Sequence, residues 1–129
     1  MLKKNGLEEQ EEQCTVDYAF QRIGGKYKGR LIWALKKGVM RYGELRRYVT
    51  GVTPKMLTQA LRELEEDGLV TRIVYHEVPP RVEYGLTEEG VELLPFIEML
   101  SAWAERQMSI RGIPSMTKTE EQRMKSCPA

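Results

Sequence analysis

The chain has 129 residues, 41% of them apolar and 30% charged, with a formal net charge of +1. That is the length and balance of one soluble domain with a modest core, of a size that gains by pairing with a second copy. No apolar run approaches the roughly 20 residues of a membrane span, the segment MLKKNGLEEQEEQ lacks the apolar stretch of a signal peptide, and Cys14 and Cys127 near opposite ends make neither a disulfide framework nor a metal-ligand spacing, so a cytoplasmic protein is expected.

Residues 1 to 13 are polar and acidic and are expected to be a flexible N-terminus. Thr15 is suited to cap a short helix in which Val16, Ala19, Phe20 and Ile23 recur at helical spacing, and Gly24-Gly25 ends it. A second helix is predicted from about Lys26 to Leu35, with Tyr27, Leu31, Ala34 and Leu35 inward, and Lys36-Lys37-Gly38 closes it with cations and a glycine. A third helix, about Tyr42 to Val49, places Tyr42, Leu45, Tyr48 and Val49 on its inner face and Arg41, Glu44, Arg46 and Arg47 on the other.

Thr50-Gly51-Val52 is the turn that follows. Thr53 is a good N-cap, and Pro54 occupies the first helical position, where a missing N–H costs nothing. The fourth helix buries Leu57, Ala60, Leu61 and Leu64. Its outer face carries Lys55, Thr58, Gln59 and Arg62 first, then Glu63 and Glu66, and Gly68 stops it. A helix that enters a DNA groove end-on needs donors and cations at its N-terminal half, where the macrodipole also favours phosphate. Two extended runs come next, about Leu69 to Val78 and Val82 to Leu86, the second alternating cleanly, with Pro79-Pro80 at the hairpin tip. Thr87 caps a last helix to about Met108, which Pro95 is expected to kink or divide. Residues 111 to 129 read as a polar, disordered tail.

Helix, tight turn, helix and hairpin make a winged helix-turn-helix. The fold class is therefore α+β, mainly α, with one domain over residues 14 to 110, and the N- and C-terminal helices become dimerisation helices only through the family resemblance that follows. The charge distribution agrees. From Lys26 to Glu83 there are 12 Lys/Arg against 7 Asp/Glu, whereas residues 1 to 25 hold 3 against 5 and residues 84 to 129 hold 5 against 7. The positive charge thus lies with the helix-turn-helix, as phosphate attraction requires.

An ordered series of motifs carries a family resemblance: Cys14, IGGKY at 23 to 27, YGELRR at 42 to 47, TPKMLTQALRELEEDGLV at 53 to 70, and PPRVEYGLTEEG at 79 to 90. With these the chain resembles the HxlR-type winged-helix transcription regulators over about Cys14 to Met108. The resemblance implies a homodimer built on the terminal helices, with two recognition helices reading a pseudo-palindromic operator on double-stranded DNA. It also implies oxidant or electrophile sensing through Cys14 in some relatives. Thr15 stands where many relatives have proline, and Tyr27 where tryptophan is common.

The expected base and backbone contacts are Lys55, Thr58, Gln59 and Arg62, since Gln pairs bidentately with adenine and Arg with guanine. Thr53 and the N–H groups around it would hold a phosphate. The bland reading is a solvated helix face, which the Thr53-Pro54 start and the basic third helix outweigh. Arg41, Arg46 and Arg47 are expected to position the module on phosphates, against simple surface solubility. Arg81 beside the wing tip would reach a minor groove or phosphate, or instead pair across the strand with Glu77 or Glu83. Cys14 before a helix N-terminus is the candidate redox thiol, or else a small hydrophobe. Lone His76 has no second ligand nearby, and no phosphate loop, metal cluster or catalytic pair points to an enzyme or a cofactor. Nothing assigns a small-molecule effector. The competing reading is a winged helix that docks only other proteins.

Overall fold

The backbone signals around the fourth helix act where they were expected. In the computed structural model, which describes residues 12–115, Thr53 is the N-cap of a helix over Pro54–Glu66 and its hydroxyl accepts from the Met56 N–H at 3.1 Å. That helix stops at Asp67, with Gly68 at φ 75°. The Gly68 N–H then donates to the Glu65 carbonyl at 3.0 Å and the Leu69 N–H to the Leu64 carbonyl at 2.9 Å. This pair of bonds is a Schellman stop, and it needs a left-handed residue that glycine adopts without strain.

In chain order the elements are α1 (Thr15–Ile23), α2 (Lys28–Ala34) with a 3-10 turn at Leu35–Lys37, β1 (Met40–Arg41), α3 (Tyr42–Tyr48), α4 (Pro54–Glu66), β2 (Val70–Tyr75), β3 (Arg81–Leu86), α5 (Glu88–Glu92) and α6 (Leu94–Ile110). The three strands form one antiparallel sheet in the order β1-β3-β2, with Met40 opposite Tyr84 and Arg72 also opposite Tyr84. This is a winged helix-turn-helix: α3 and α4 are the pair, and β2 and β3 are the wing. Thr87 caps α5 by accepting from the Gly90 N–H at 3.1 Å. The last helical segment is divided at Leu93, just before Pro95, rather than merely bent, because proline supplies no N–H and crowds the preceding turn.

Four expectations are corrected. Cys14, not Thr15, holds the N-cap position of α1, and no side chain caps that helix. The second helix begins at Lys28 because Tyr27 is its N-cap, with a backbone outside the helical region, and it tightens to a 3-10 turn at Leu35. A third strand, β1, precedes α3. The last helix runs to Ile110 and ends on Gly112, whose φ is 71°, with the Ile113 N–H donating to the Met108 carbonyl at 2.8 Å. The start of the expected tail at 111 is thus the helix stop. Residues 1 to 11 of the expected flexible terminus, residues 116 to 129 of the tail, and Cys127 lie outside the described residues.

The core lies where α2, α3 and α4 meet the sheet. Leu31, Ile32, Leu45, Val49, Leu57 and Leu64 are fully buried there. Each such side chain contributes roughly 1.5–3 kcal/mol by leaving water. Gly90 lets α5 lie against the end of α4: a Cβ there would stand 2.3 Å from the Leu69 carbonyl oxygen. The terminal helices differ. On α1 only Ile23 is buried, and on α6 no residue is. Phe20 and Phe96 meet edge to face at 6.4 Å, yet Val16, Phe20, Met99 and Trp103 all remain exposed.

Candidate nucleic-acid interface

Two hydroxyl contacts set the angle between α3 and α4. The Tyr42 hydroxyl donates to the Pro54 carbonyl at 3.1 Å and lies 3.2 Å from the Thr58 hydroxyl. The first turn of α4 is thereby fixed against the first residue of α3. The turn between the helices is held from α2: the Tyr27 hydroxyl donates to the Gly51 carbonyl at 3.1 Å, and the Arg30 guanidinium reaches the Thr50 carbonyl at 3.3 Å and the Thr50 hydroxyl at 3.4 Å. Gly51 sits at φ 87° in that turn, a left-handed conformation that favours glycine. Tyr27 and Arg30 are positioning residues that periodicity alone does not reveal, because their partners are 24 and 20 residues away.

With α4 so placed, its outer face presents Lys55, Thr58, Gln59 and Arg62, all exposed. The unpaired N–H groups and positive dipole end of the helix lie at Thr53 and Pro54. Arg46 and Arg47 are exposed on α3, and Arg41 is exposed at its N-cap, where the Arg41 N–H donates to the Glu44 carboxylate at 2.8 Å. The structure therefore brings most of the expected residues onto the two helices of one motif.

Thr58 and Gln59 are engaged within the protein. Thr58 shares the Tyr42 hydroxyl. The Gln59 amide donates to Glu63, whose other carboxylate oxygen lies 2.6 Å from Lys28 Nζ. The ammonium of Lys28 and the Gln59 amide hold the Glu63 carboxyl below its usual range. This trio lines a cleft of about 640 Å³ between the Gly24–Lys28 segment and α4, floored by Tyr27, Met56 and Ala60.

Arg81 takes the ion-pair alternative, although its partners are Glu77 of the hairpin loop and Glu83 of its own strand, and only Tyr75 lies across the sheet from it. Its guanidinium lies 3.3 Å from Glu77 and 3.9 Å from Glu83, and stacks 4.0 Å from the centre of the Tyr75 ring. A hydrogen bond to Glu83, with the charge of that carboxylate behind it, raises the Tyr75 phenol above its ordinary range. The wing is thus braced by a cluster of two carboxylates, one guanidinium and one phenol. Cys14 is exposed at the N-cap of α1. Among the described residues no group of His, Cys, Asp and Glu is placed to hold a metal ion, and no helix is long and apolar enough to cross a membrane.

These features define a winged-helix protein with a basic helix-turn-helix. The family model for HxlR-like helix-turn-helix proteins matches residues 22–111, and the chain belongs to that family. Among its relatives is the uncharacterized HTH-type transcriptional regulator YybR of Bacillus subtilis (strain 168), 43% identical over 110 residues, or 85% of this chain and 88% of YybR. Among solved structures, the redox regulator HypR in its reduced form matches with a TM-score of 0.73 and 43% identity over 77% of this chain and 98% of that one. Its oxidized form matches with a TM-score of 0.69 and 47% identity over 72% of this chain and 96% of that one.

Proposed function

We propose that the chain is a sequence-specific transcriptional regulator that binds double-stranded DNA as a homodimer on a pseudo-palindromic operator. The observation that carries this is the outer face of α4, where Lys55, Gln59 and Arg62 stand exposed along a helix whose positive end is capped by Thr53. The relatives named as HTH-type regulators and the redox regulator HypR support the same reading. In it, α4 enters the major groove, Gln59 and Arg62 meet base edges, and Lys55 with the N–H groups near Thr53 holds a phosphate. Arg41, Arg46 and Arg47 meet flanking phosphates and carry no sequence information. Arg81 reaches DNA only by exchanging Glu77 and Glu83 for a phosphate.

The exposed apolar face of α1 and α6 supports pairing with a second copy, which puts two recognition helices roughly 34–36 Å apart, one helical turn of DNA. Cys14 at the start of α1 borders that face, and the likeness to HypR in both redox states supports a thiol whose oxidation shifts the two recognition helices relative to each other. Unchanged operator affinity after diamide treatment rules that switch out.

The test is a titration of Arg62→Ala and Arg46→Ala proteins against a duplex selected from a randomised library and against random DNA. Arg62→Ala is expected to lose preference by about 1–3 kcal/mol, while Arg46→Ala weakens both duplexes alike. Equal losses on the two duplexes for Arg62→Ala would remove its assigned role.

A further inference from the structure

We propose that Lys28 and Glu63 act as a relay that sets the Gln59 amide to read adenine, so that a residue outside the recognition helix determines a base that the helix selects. The inference rests on α4 being the DNA-reading helix. It begins from a chain of three side chains on two elements. Lys28 Nζ on α2 lies 2.6 Å from one oxygen of Glu63, and the other oxygen accepts from Gln59 Nε2 one turn earlier on α4.

A carboxylate only accepts hydrogen bonds, so the nitrogen end of the amide must face Glu63 and the oxygen end must face away. This settles which way the amide points on chemical grounds. The carboxyl of Glu63 is held below its usual range by Lys28 and Gln59, so at neutral pH it is the acceptor this argument needs. One amide N–H is committed to Glu63. The relay requires the N–H trans to the carbonyl oxygen to be the one bonded to Glu63, which leaves the other N–H and the oxygen side by side as one donor and one acceptor.

That pair complements one base edge in the major groove. Adenine offers an N6 donor beside an N7 acceptor. Guanine offers two acceptors, and its O6 would meet the amide oxygen. Cytosine offers a single N4 donor, and thymine an acceptor and a methyl group. A glutamine without the relay would sample other rotamers and both amide orientations, and would lose that freedom only on binding.

An i, i+4 pair on an exposed helix face is weak by itself. Here the third group comes from α2, whose Leu31 and Ile32 are fully buried in the core. The Lys28 side chain is only 15% exposed, so it is anchored along its length rather than waving in solvent. Lys28 is therefore a positioning residue, acting through Glu63 on Gln59.

The experiment uses the full chain. A duplex is selected from a randomised library and titrated by fluorescence anisotropy beside copies in which single adenines are replaced by 7-deazaadenine, which keeps N6 and removes the N7 acceptor. Wild-type protein is expected to lose about tenfold in affinity at one adenine in each half-site. Gln59→Ala abolishes that discrimination. Lys28→Met loses most of it with an unchanged salt slope, and Lys28→Arg retains it. Thermal melts identify any variant that has lost the fold, and Glu63→Ala serves as the second route to breaking the relay.

Full adenine discrimination in folded Lys28→Met and Glu63→Ala overturns the relay and leaves α4 as the reader. A salt slope that falls by about one for Lys28→Met, with discrimination intact, overturns it by making Lys28 a phosphate contact. Base preference that survives both Gln59→Ala and Arg62→Ala overturns the assignment of α4 itself, a separate failure.

Discussion

The helix-turn-helix and the terminal helices solve the burial of apolar residues in opposite ways. In the first region, Leu45, Leu57 and Leu64 have no exposure at all. In the second, Met99 is 73% exposed and Trp103 is 54% exposed, on a helix that buries none of its residues. A scatter of exposed apolar side chains is ordinary, but a contiguous face of them marks an interaction surface. The contrast teaches that the helix-turn-helix is fully packed among the described residues, whereas α1 and α6 leave an apolar face open there. The homodimer proposed above would cover that face with a second copy.

Substitutions in the two regions should therefore fail differently. The largest effect on folding is expected from Leu57→Ala or Leu64→Ala, which leave a cavity at the fully buried seam and should cost about 2–5 kcal/mol in chemical denaturation. Trp103→Glu should convert the proposed dimer to monomer in sedimentation velocity, with operator affinity falling with it, and its denaturation midpoint should approach that of wild type at protein concentrations low enough for wild type to be monomeric as well. If Trp103→Glu unfolds the chain as Leu64→Ala does, the two regions are one cooperative core and the contrast is lost.

A smaller loss is expected for Thr53→Ala, about 0.5–2 kcal/mol from the missing cap of α4, with Thr53→Ser retaining most of it. The smallest concerns the link between α2 and α4. The carboxyl of Glu63 sits below the ordinary 4.5 in the folded state. Its ion pair therefore stabilises the fold fully above about that pH, and the contribution fades as pH falls through the lower folded value. The denaturation midpoints of wild type and Glu63→Gln should differ at pH 7 and converge in acid. A difference that grows in acid would contradict the pairing.

Much of the reading head was legible in the sequence because its signals are local. Thr53 and Pro54 fix where α4 begins, Gly68 where it ends, and Pro95 where the last helix divides, each through the chain's own backbone geometry. The alternation of Val82, Tyr84 and Leu86 likewise marks one strand of the wing. What escaped was tertiary or too short to have a period. Met40–Arg41 is a strand only because β3 lies beside it. Tyr27, Lys28 and Arg30 act on residues more than 19 positions away. The sequence names Gln59 as a contact, but its orientation depends on Lys28, and no spacing rule links those two positions. Arg81 shows the same limit from the other side: both a groove contact and a cross-strand pair fitted its place beside the wing tip, and only the fold puts Glu77, Glu83 and Tyr75 around it.

The most direct test of the account is a salt series of anisotropy titrations of the purified full chain on fluorescent DNA from upstream of its own gene, with random DNA alongside. The account predicts tighter binding to the upstream duplex, and a slope of log K against log salt near −7 if about 8 phosphates are neutralised per dimer. Absence of binding to either duplex at low salt would contradict it and favour a winged helix that docks other proteins.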